Sequence, residues 1–341
     1  KDIRLSYGDA FCFDGDFDLS GLPNVDETFL YADIKDIKFN RAGVQHFISD
    51  ISGRPFVLPT ELSNLGTIHY SGKISGFFSN LVAYGSFRTN LGKLSTDILI
   101  EVLPQWKGLK YSGSLNTSGF RLGRLLGESS QVGDVSLKIS VTGHKYADSS
   151  MSGVIDANVN SFTFNSYSYD NILIKGNFDG SGFEGFLNID DKNAKISFNG
   201  KIDLTKKLPI WNFSAKADDV NLTRLNLLKS YPDLFLSFNF STNLVGSTLD
   251  NANGKISIED ISIRNKSKHI FVDRIGIYSD FNDTLRVLDI HSDVIKGKIK
   301  GNYSLVTIGN SLNRFLSKYL PAINSGKKEN KTFGDNSFVF S

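Results

Sequence analysis

The stretch at residues 195–204, K-I-S-F-N-G-K-I-D-L, constrains the fold of this chain more than any other feature. Its apolar and polar side chains alternate, so they would lie on opposite faces of an extended strand. The same pattern returns about 101 residues later at residues 295–305, and it occurs 102 residues earlier at residues 94–102. A strand that recurs three times at a nearly constant spacing predicts a tandem β-repeat with one apolar and one polar face.

A second motif repeats with a similar period, because residues 111–127 match residues 211–227 at an offset of 100. A third copy lies 83 residues before the first of these. The matched positions are Ile37, Phe39 and Arg41; Phe120, Leu122 and Arg124; and Val220, Leu222 and Arg224. The two motifs together predict one repeat segment over residues 1–341. We expect a partial unit at 1–51, units at about 65–127, 133–229 and 234–320, and the start of a next unit at 332–341.

Composition favours an all-β chain. Aromatic residues make up 12% of the sequence, and 27 Phe and 31 Gly suit many short strands joined by turns. Charge is nearly balanced, with 38 Lys and Arg against 36 Asp and Glu, and no dense basic run occurs, which argues against a nucleic-acid partner. The single cysteine, Cys12, excludes an intrachain disulfide and a cysteine-based metal cluster.

Both ends of the sequence look like parts of strands. The chain begins in a polar segment, and it ends just after an apolar run at residues 338–340. No apolar run approaches the ~20 residues that a membrane helix requires. We therefore expect a segment of a longer protein.

Period-two alternation bounded by Gly or Asn predicts most of the strands. The predicted strands are 67–70, 73–78, 81–88, 93–102, 111–120, 135–141, 153–159, 161–165, 171–178, 183–189, 195–204, 234–245, 254–263, 270–279 and 285–291. Helical patterns predict short helices at 41–51, 222–228 and 310–320, and an apolar turn is expected at 122–126. A polar loop is expected at 325–331.

The sequence contains no recognisable catalytic or metal-binding constellation. Its five histidines are scattered, with no pair at metal-ligand spacing. The acid pairs Asp190–Asp191 and Asp218–Asp219 fall at predicted turns, where Asp is favoured because its side chain bonds to the backbone. We therefore expect a protein that is not an enzyme and has no catalytic residues, metal or cofactor.

An apolar face that recurs along the whole chain has to be covered. The sheet could close on itself as a β-sandwich or β-helix, or it could curl into an open trough. An open apolar trough would suit an acyl chain, since ~16 methylenes at about 0.8 kcal/mol each prefer it to water by on the order of 10 kcal/mol.

Four stretches resemble the repeat region of TamB-type proteins of the AsmA-like group, a bridge-like lipid transfer type, in the versions found in Bacteroidota. These stretches are 80–97, 110–126, 186–204 and 314–321. The resemblance implies a periplasmic β-taco, which is an elongated repetitive sheet with a U-shaped section, an open groove and a few short helices. It also implies a protein that bridges inner and outer membranes, conducts phospholipid between them and supports outer-membrane protein assembly.

The partners implied by the resemblance are phospholipid acyl chains, the inner membrane through an N-terminal anchor, and an outer-membrane barrel partner of the Omp85 type. The anchor and the barrel-binding part would lie outside this segment. The alternation of the sequence supplies the residues that we expect to line the lipid groove: Leu94, Ile98, Ile100, Val102, Leu187, Ile189, Ile196, Phe198, Ile202, Leu204, Ile256, Ile258, Ile299, Tyr303 and Leu305. For each of them singly, ordinary core packing is an equal alternative.

A different class of protein also fits the repeats, namely a secreted repeat adhesin or a glycan-binding β-solenoid with a closed interior. Its ligands would meet exposed aromatic residues such as Trp106, Tyr167 and Tyr169 instead of the apolar stripe.

Overall fold

Strands dominate the described part of the chain. The computed structural model describes residues 3–8, 11–24, 27–52, 60–104, 107–127, 131–146, 150–248, 250–282, 285–304, 307 and 337–340. The strands in these ranges are β1 (Ile3–Tyr7), β2 (Phe11–Ser20), β3 (Phe29–Phe39), β4 (Ile68–Phe77), β5 (Asn80–Thr89), β6 (Gly92–Val102), β7 (Gly108–Phe120), β8 (Val132–Tyr146), β9 (Ser152–Phe164), β10 (Tyr167–Asp179), β11 (Gly182–Asp191), β12 (Ala194–Asp203), β13 (Ile210–Asn221), β14 (Phe235–Val245), β15 (Asn253–Arg264), β16 (His269–Asn282), β17 (Leu285–Ser292), β18 (Lys296–Asn302) and β19 (Ser337–Phe340). The helical segments are α1 (Arg41–Ser52), a 3₁₀ helix at Thr60–Leu65 and α2 (Leu122–Leu126). None of the helices in these ranges combines the length and the apolar character that crossing a membrane would require.

The strands form one open antiparallel sheet, and this confirms the predicted all-β class with a repetitive open sheet and few short helices. The U-shaped section of that sheet stays a prediction. The chain divides into two compact units. The first comprises residues 1–180, 185–195 and 223–230, and the second comprises 181–184, 196–222 and 231–341. In the first unit, neighbouring strands pair in chain order from β1–β2 to β9–β10. In the second unit, they pair in chain order from β13–β14 to β18–β19.

A β-bulge recurs at the spacing of the sequence repeat. It lies between Ile34 and Ile37 in β3, between Thr117 and Phe120 in β7, and between Ala217 and Val220 in β13. These positions are separated by 83 and 100 residues, which are the offsets of the second sequence motif. The overlay therefore marks a repeated backbone irregularity as well as repeated side chains. Bulges bend the strand that carries them and increase its local twist.

The bulges of β7 and β13 each contain the same type of hydrogen bond, at equivalent positions. The N–H of Gly119 donates to the hydroxyl of Ser136, and the N–H of Asp219 donates to that of Ser237, both at 2.9 Å. Gly119 and Asp219 both have positive φ angles, of 65° and 48°. Each serine hydroxyl thus satisfies an amide that the bulge has removed from the ladder.

The segment after each of these bulges is held by an asparagine 61 residues upstream of its contact. The side-chain amide of Asn64 donates to the carbonyl of Leu125 at 3.0 Å, and that of Asn165 donates to the carbonyl of Asn226 at 2.7 Å. The side chain of Asn226 returns a bond to the carbonyl of Asn165 at 3.1 Å. This contact therefore recurs with the repeat.

Most of the predicted elements are confirmed, including the helix at 41–51, but four predictions need correction. The predicted strands 67–70 and 73–78 are one strand, β4, and 153–159 and 161–165 are one strand, β9. The expected turn at 122–126 is the short helix α2. The predicted helix at 222–228 is a series of turns, because Asn226 has a φ of 59° and a left-handed residue interrupts an α-helix. The predicted helix 310–320 and loop 325–331 lie outside the described residues.

Gly72 explains the error in β4. Next to Ser71 it suggested a turn, yet it pairs with Ile34 on one side and Gly85 on the other. A Cβ at Gly72 would lie 2.3 Å from the carbonyl oxygen of Tyr84, and one at Gly85 would lie 2.7 Å from the ring of Tyr70. These glycines therefore serve close packing under an aromatic ring inside the sheet.

Candidate functional site: the apolar face of the sheet

The apolar face of the first unit runs in register from strand to strand. In β6, Leu94 lies opposite Phe87 of β5, while Ile98 lies opposite Ala83 of β5 and Gly113 of β7. On the following strands, Leu115 of β7 lies opposite Ile139 of β8. Ala157 of β9 lies between Ile139 and Ile174 of β10. The period-two alternation of separate strands thus becomes one continuous surface, which we call the apolar face.

Part of the apolar face is covered. Phe120 at the end of β7 lies opposite Val135 of β8, and both are buried. Val159 and Ile172, which face each other on β9 and β10, are buried too, and α2 packs against β8. Of these four buried residues, Phe120 and Val135 lie towards the ends of their strands, while the other two lie near the middle of theirs.

The remaining part of this face is open. Ile100 is 41% exposed, and Leu94, Ile98 and Val102 are only partly buried. Leu187 and Ile189 of β11 belong to the same unit and are also partly buried. A residue at the centre of a packed two-layer core is usually buried completely. The predicted lining residues of the first unit thus stand on a surface that the described residues cover incompletely.

The second unit carries an apolar face of its own. Ile256 of β15 lies opposite Thr242 and Ile277, and Ile258 lies opposite Phe240 and Ile275. Ile299 of β18 lies opposite Leu288 of β17 and Phe340 of β19. Ile196, Phe198 and Ile202 of β12 are partly buried, and Leu204, just after that strand, is 46% exposed.

A ladder of four phenylalanine rings crosses this second face. The ring centroids of Phe183 and Phe198 are 6.3 Å apart, those of Phe198 and Phe213 are 5.0 Å apart, and those of Phe213 and Phe240 are 5.4 Å apart. The rings come from β11 to β14, one from each strand. Only Phe198 is among the predicted lining residues. The others were missed because the register of separate strands cannot be read from alternation alone.

One predicted lining residue, Tyr303, does not meet that description, and the prediction for another, Leu305, is not tested. Tyr303 is buried, and its ring lies 5.4 Å from the guanidinium of Arg286. Burial raises the pKa of the Tyr303 hydroxyl. Arg286 is itself buried and is paired with Asp250 at 2.8 Å, so this end of the face contains a charged pair. Leu305 lies outside the described residues.

The opposite face of the sheet, which we call the polar face, carries charged side chains in cross-strand pairs. Lys110 pairs with Glu101 at 3.2 Å, and Lys175 pairs with Asp156 at 2.8 Å. Both pairs are about half exposed, so each contributes little to stability. They show that this face is hydrated, which is the arrangement expected of a sheet with one wet surface.

The acid pairs have structural partners, and the carboxylates of Asp218 and Asp219 are in ion pairs with Lys216 and Arg264. Asp191 is 2% exposed and accepts hydrogen bonds from the N–H of Asn193 at 2.8 Å and from the hydroxyl of Tyr167 at 2.5 Å. Asp219 sits in the β13 bulge described above. In the described part of the chain, no three His, Cys, Asp or Glu side chains are arranged to hold a metal ion.

The aromatic residues of the glycan-binding alternative are not exposed platforms. Tyr169 is 8% exposed, and the hydroxyl of Tyr167 is engaged by Asp191 and by the side-chain amide of Asn193 at 2.9 Å. Trp106 lies outside the described residues. The open sheet also differs from the closed interior which that alternative assumes.

In comparisons with known proteins, no family model, no curated protein and no solved structure matches the chain. The function must therefore be inferred from the sheet itself and from the sequence motifs.

Proposed function

We propose that this chain is a segment of a TamB-like protein of the bacterial periplasm, and that its apolar face conducts phospholipid between the inner and outer membranes. The observation that carries the proposal is the apolar face of each unit, which the described residues cover incompletely. Contiguous apolar surfaces of more than a few hundred Å² are rare on soluble proteins unless a ligand or partner binds there. Support for outer-membrane protein assembly belongs to the same proposal and rests on the sequence resemblance alone.

The chemistry of the face suits acyl chains better than a compact ligand. Its residues are aliphatic and aromatic, and they run across strands about 4.8 Å apart, so the surface is long in the direction in which the sheet grows. A phospholipid would place its tails on this face and leave its headgroup in water. The expected gain of about 0.8 kcal/mol per methylene would hold the lipid without any specific polar contact.

Two adjacent residues of β6 provide a matched test. Ile100 lies on the apolar face and is 41% exposed, while the side chain of Glu101 lies on the polar face and is 42% exposed. We expect a photo-crosslinking residue at Ile100, in cells labelled with radioactive phosphate, to capture phospholipid, and the same residue at Glu101 to capture none. Both side chains reach solvent, so solvent exposure alone is an insufficient explanation for this difference.

Crosslinked lipid at both positions would indicate nonspecific membrane contact. Crosslinked lipid at neither position would contradict the proposal that the apolar face binds lipid.

Extraction of the purified chain followed by mass spectrometry gives an independent measurement. Co-purified phospholipid is expected, and lipid-free protein would contradict the proposal.

A further inference from the structure

The polar face of the first unit contains a solvent-open depression of about 410 Å³ on β4 to β7. Its size is within the range of small-molecule sites. Its polar lining consists of one carboxylate, one amide and serine hydroxyls, with an aromatic residue at the edge: Asp97, Asn116, Ser71, Ser86, Ser95, Ser114 and Tyr84.

Strand register places these groups in two rows across the sheet. Tyr84 lies opposite Asp97, which in turn lies opposite Ser114. In the neighbouring row, Ser95 lies between Ser86 and Asn116. Hydrogen-bonding groups therefore recur at the strand spacing of about 4.8 Å, as an extended ligand with repeated polar groups would require.

Several of these groups are available to a ligand. Within the ranges that the structure describes, the side chains of Asp97, Ser114 and Asn116 make no hydrogen bond or ion pair. Tyr84 is 66% exposed. Its ring is a flat apolar surface beside a row of polar groups.

The lining chemistry selects a class of ligand. No Lys, Arg or His lines this depression, so it does not favour a phosphate or carboxylate. A carboxylate, an amide and hydroxyls can instead exchange hydrogen bonds with ligand hydroxyl groups, while an aromatic ring packs against an apolar C–H surface. A saccharide presents both kinds of surface. We propose that the polar face of β4 to β7 binds a neutral oligosaccharide, with Tyr84 as the stacking platform and Asp97, Ser114 and Asn116 as hydrogen-bonding groups.

The repeat supplies a second, separate observation. A depression of about 320 Å³ lies on the polar face of the second unit, and its lining includes Ser197, Asn199 and Ser214. These residues follow Ser95, Asp97 and Ser114 by 102, 102 and 100 residues. Serine and amide groups thus recur at this place in the repeat. The second depression also contains Lys216 and Glu259 and has no counterpart of Tyr84, so the complete saccharide site belongs to the first unit. The site lies on the face opposite to the proposed lipid surface. The proposal of saccharide binding is therefore independent of the proposal of lipid transport.

Titration of the whole chain with cellotetraose and chitotetraose, followed by NMR, tests this site. We expect saturable binding with a Kd of about 1 mM or tighter, and a loss of at least about tenfold in Tyr84→Ala. Tyr84→Phe keeps the ring and should stay within about twofold of the original chain, because stacking needs the ring and not the hydroxyl. Tyr231→Ala removes an exposed tyrosine of the second unit, 56% exposed, and should change nothing.

Tetragalacturonate and glycerol phosphate serve as anionic probes of similar chemistry. Binding of these anions alone, or equal affinity of Tyr84→Ala and the original chain for the neutral sugars, would overturn the proposal. So would the absence of saturable binding of either neutral sugar up to about 10 mM. Circular dichroism of each variant establishes that the chain is folded.

Discussion

At the scale of single residues, Tyr167 shows how a buried acid is accommodated in this sheet. Its hydroxyl and the N–H of Asn193 both donate to Asp191, and the N–H of Asp170 adds a bond at 3.2 Å. Burial, and next the hydrogen bond to Asp191, raise the pKa of Tyr167 to about 12. The sequence placed Asp191 at a turn, but it could not indicate Tyr167 as its partner, because the two are 24 residues apart.

Tyr167→Phe should destabilise the first unit by about 1–3 kcal/mol, since Asp191 loses a donor while remaining buried. In urea unfolding at pH 7, Tyr169→Phe is the matched control. Tyr169 is buried nearby, and its hydroxyl makes no hydrogen bond within the described ranges. Similar losses in the two variants would contradict this role of Tyr167.

The same residue predicts an alkaline effect. Because the folded pKa of Tyr167 is above the unfolded value of about 10, its contribution is fully present below pH 10 and is lost as pH rises towards about 12. Tyr167→Phe should therefore flatten the fall in unfolding free energy between these pH values. An unchanged slope in that window would show that Tyr167 titrates normally in the folded chain.

At the scale of elements, the repeat offsets identified positions that the structure makes equivalent, although they did not reveal what those positions do. Residues 37, 120 and 220 were matched by their apolar side chains, and in the structure each follows a bulge. The alternation of apolar and polar residues predicted the strands and their apolar sides, because a strand with one face in water has apolar residues at every second position. The helix predicted at 222–228 failed because a single left-handed residue, Asn226, overrides an apolar helical pattern.

Register accounts for most of what the sequence could not provide. The phenylalanine ladder of the second unit depends on which residue of β12 faces which residue of β13, and alternation is compatible with every even shift between them. The sequence did contain one sign of the ladder, which is the equal spacing of its first three rings. Phe183, Phe198 and Phe213 are each 15 residues apart, and equal spacing can align rings across successive hairpins. The lengths of the turns between these strands fix the register, and they could not be read from the sequence, so the spacing did not predict the ladder.

The bulge of β7 makes a prediction about glycine. Gly119 has a φ of 65°, and a Cβ added there would meet nothing within 4 Å. Gly119→Ala should therefore cost about 1–2 kcal/mol through backbone strain alone. Gly297→Ala is the control, because that position is equally open and does not require a positive φ, so its cost should stay within about 0.5 kcal/mol. Equal shifts in the urea midpoint would mean that the bulge does not impose the strain.

At the scale of the whole molecule, the proposed conduction of lipid has a consequence that simple storage does not share. A lipid that travels along the apolar face of the first unit must pass each strand of that unit in turn, so obstacles on this face act in series. A protein that only stores lipid would instead lose capacity site by site. Ile98 and Ile139 of the first unit are suitable positions, since each lies between neighbours on the same apolar face.

Ile98→Asp and Ile139→Asp should each abolish most transfer of radiolabelled phospholipid between the two membranes in cells that contain the full-length protein, because an ionised carboxylate excludes an acyl chain from its surroundings. The double variant should be no worse than either single variant. Asn158→Asp places the same charge on the polar face, where the side chain is exposed, and should leave transfer intact. Single variants that retain about half of the transfer, with a double variant that retains none, would instead indicate two independent lipid stores.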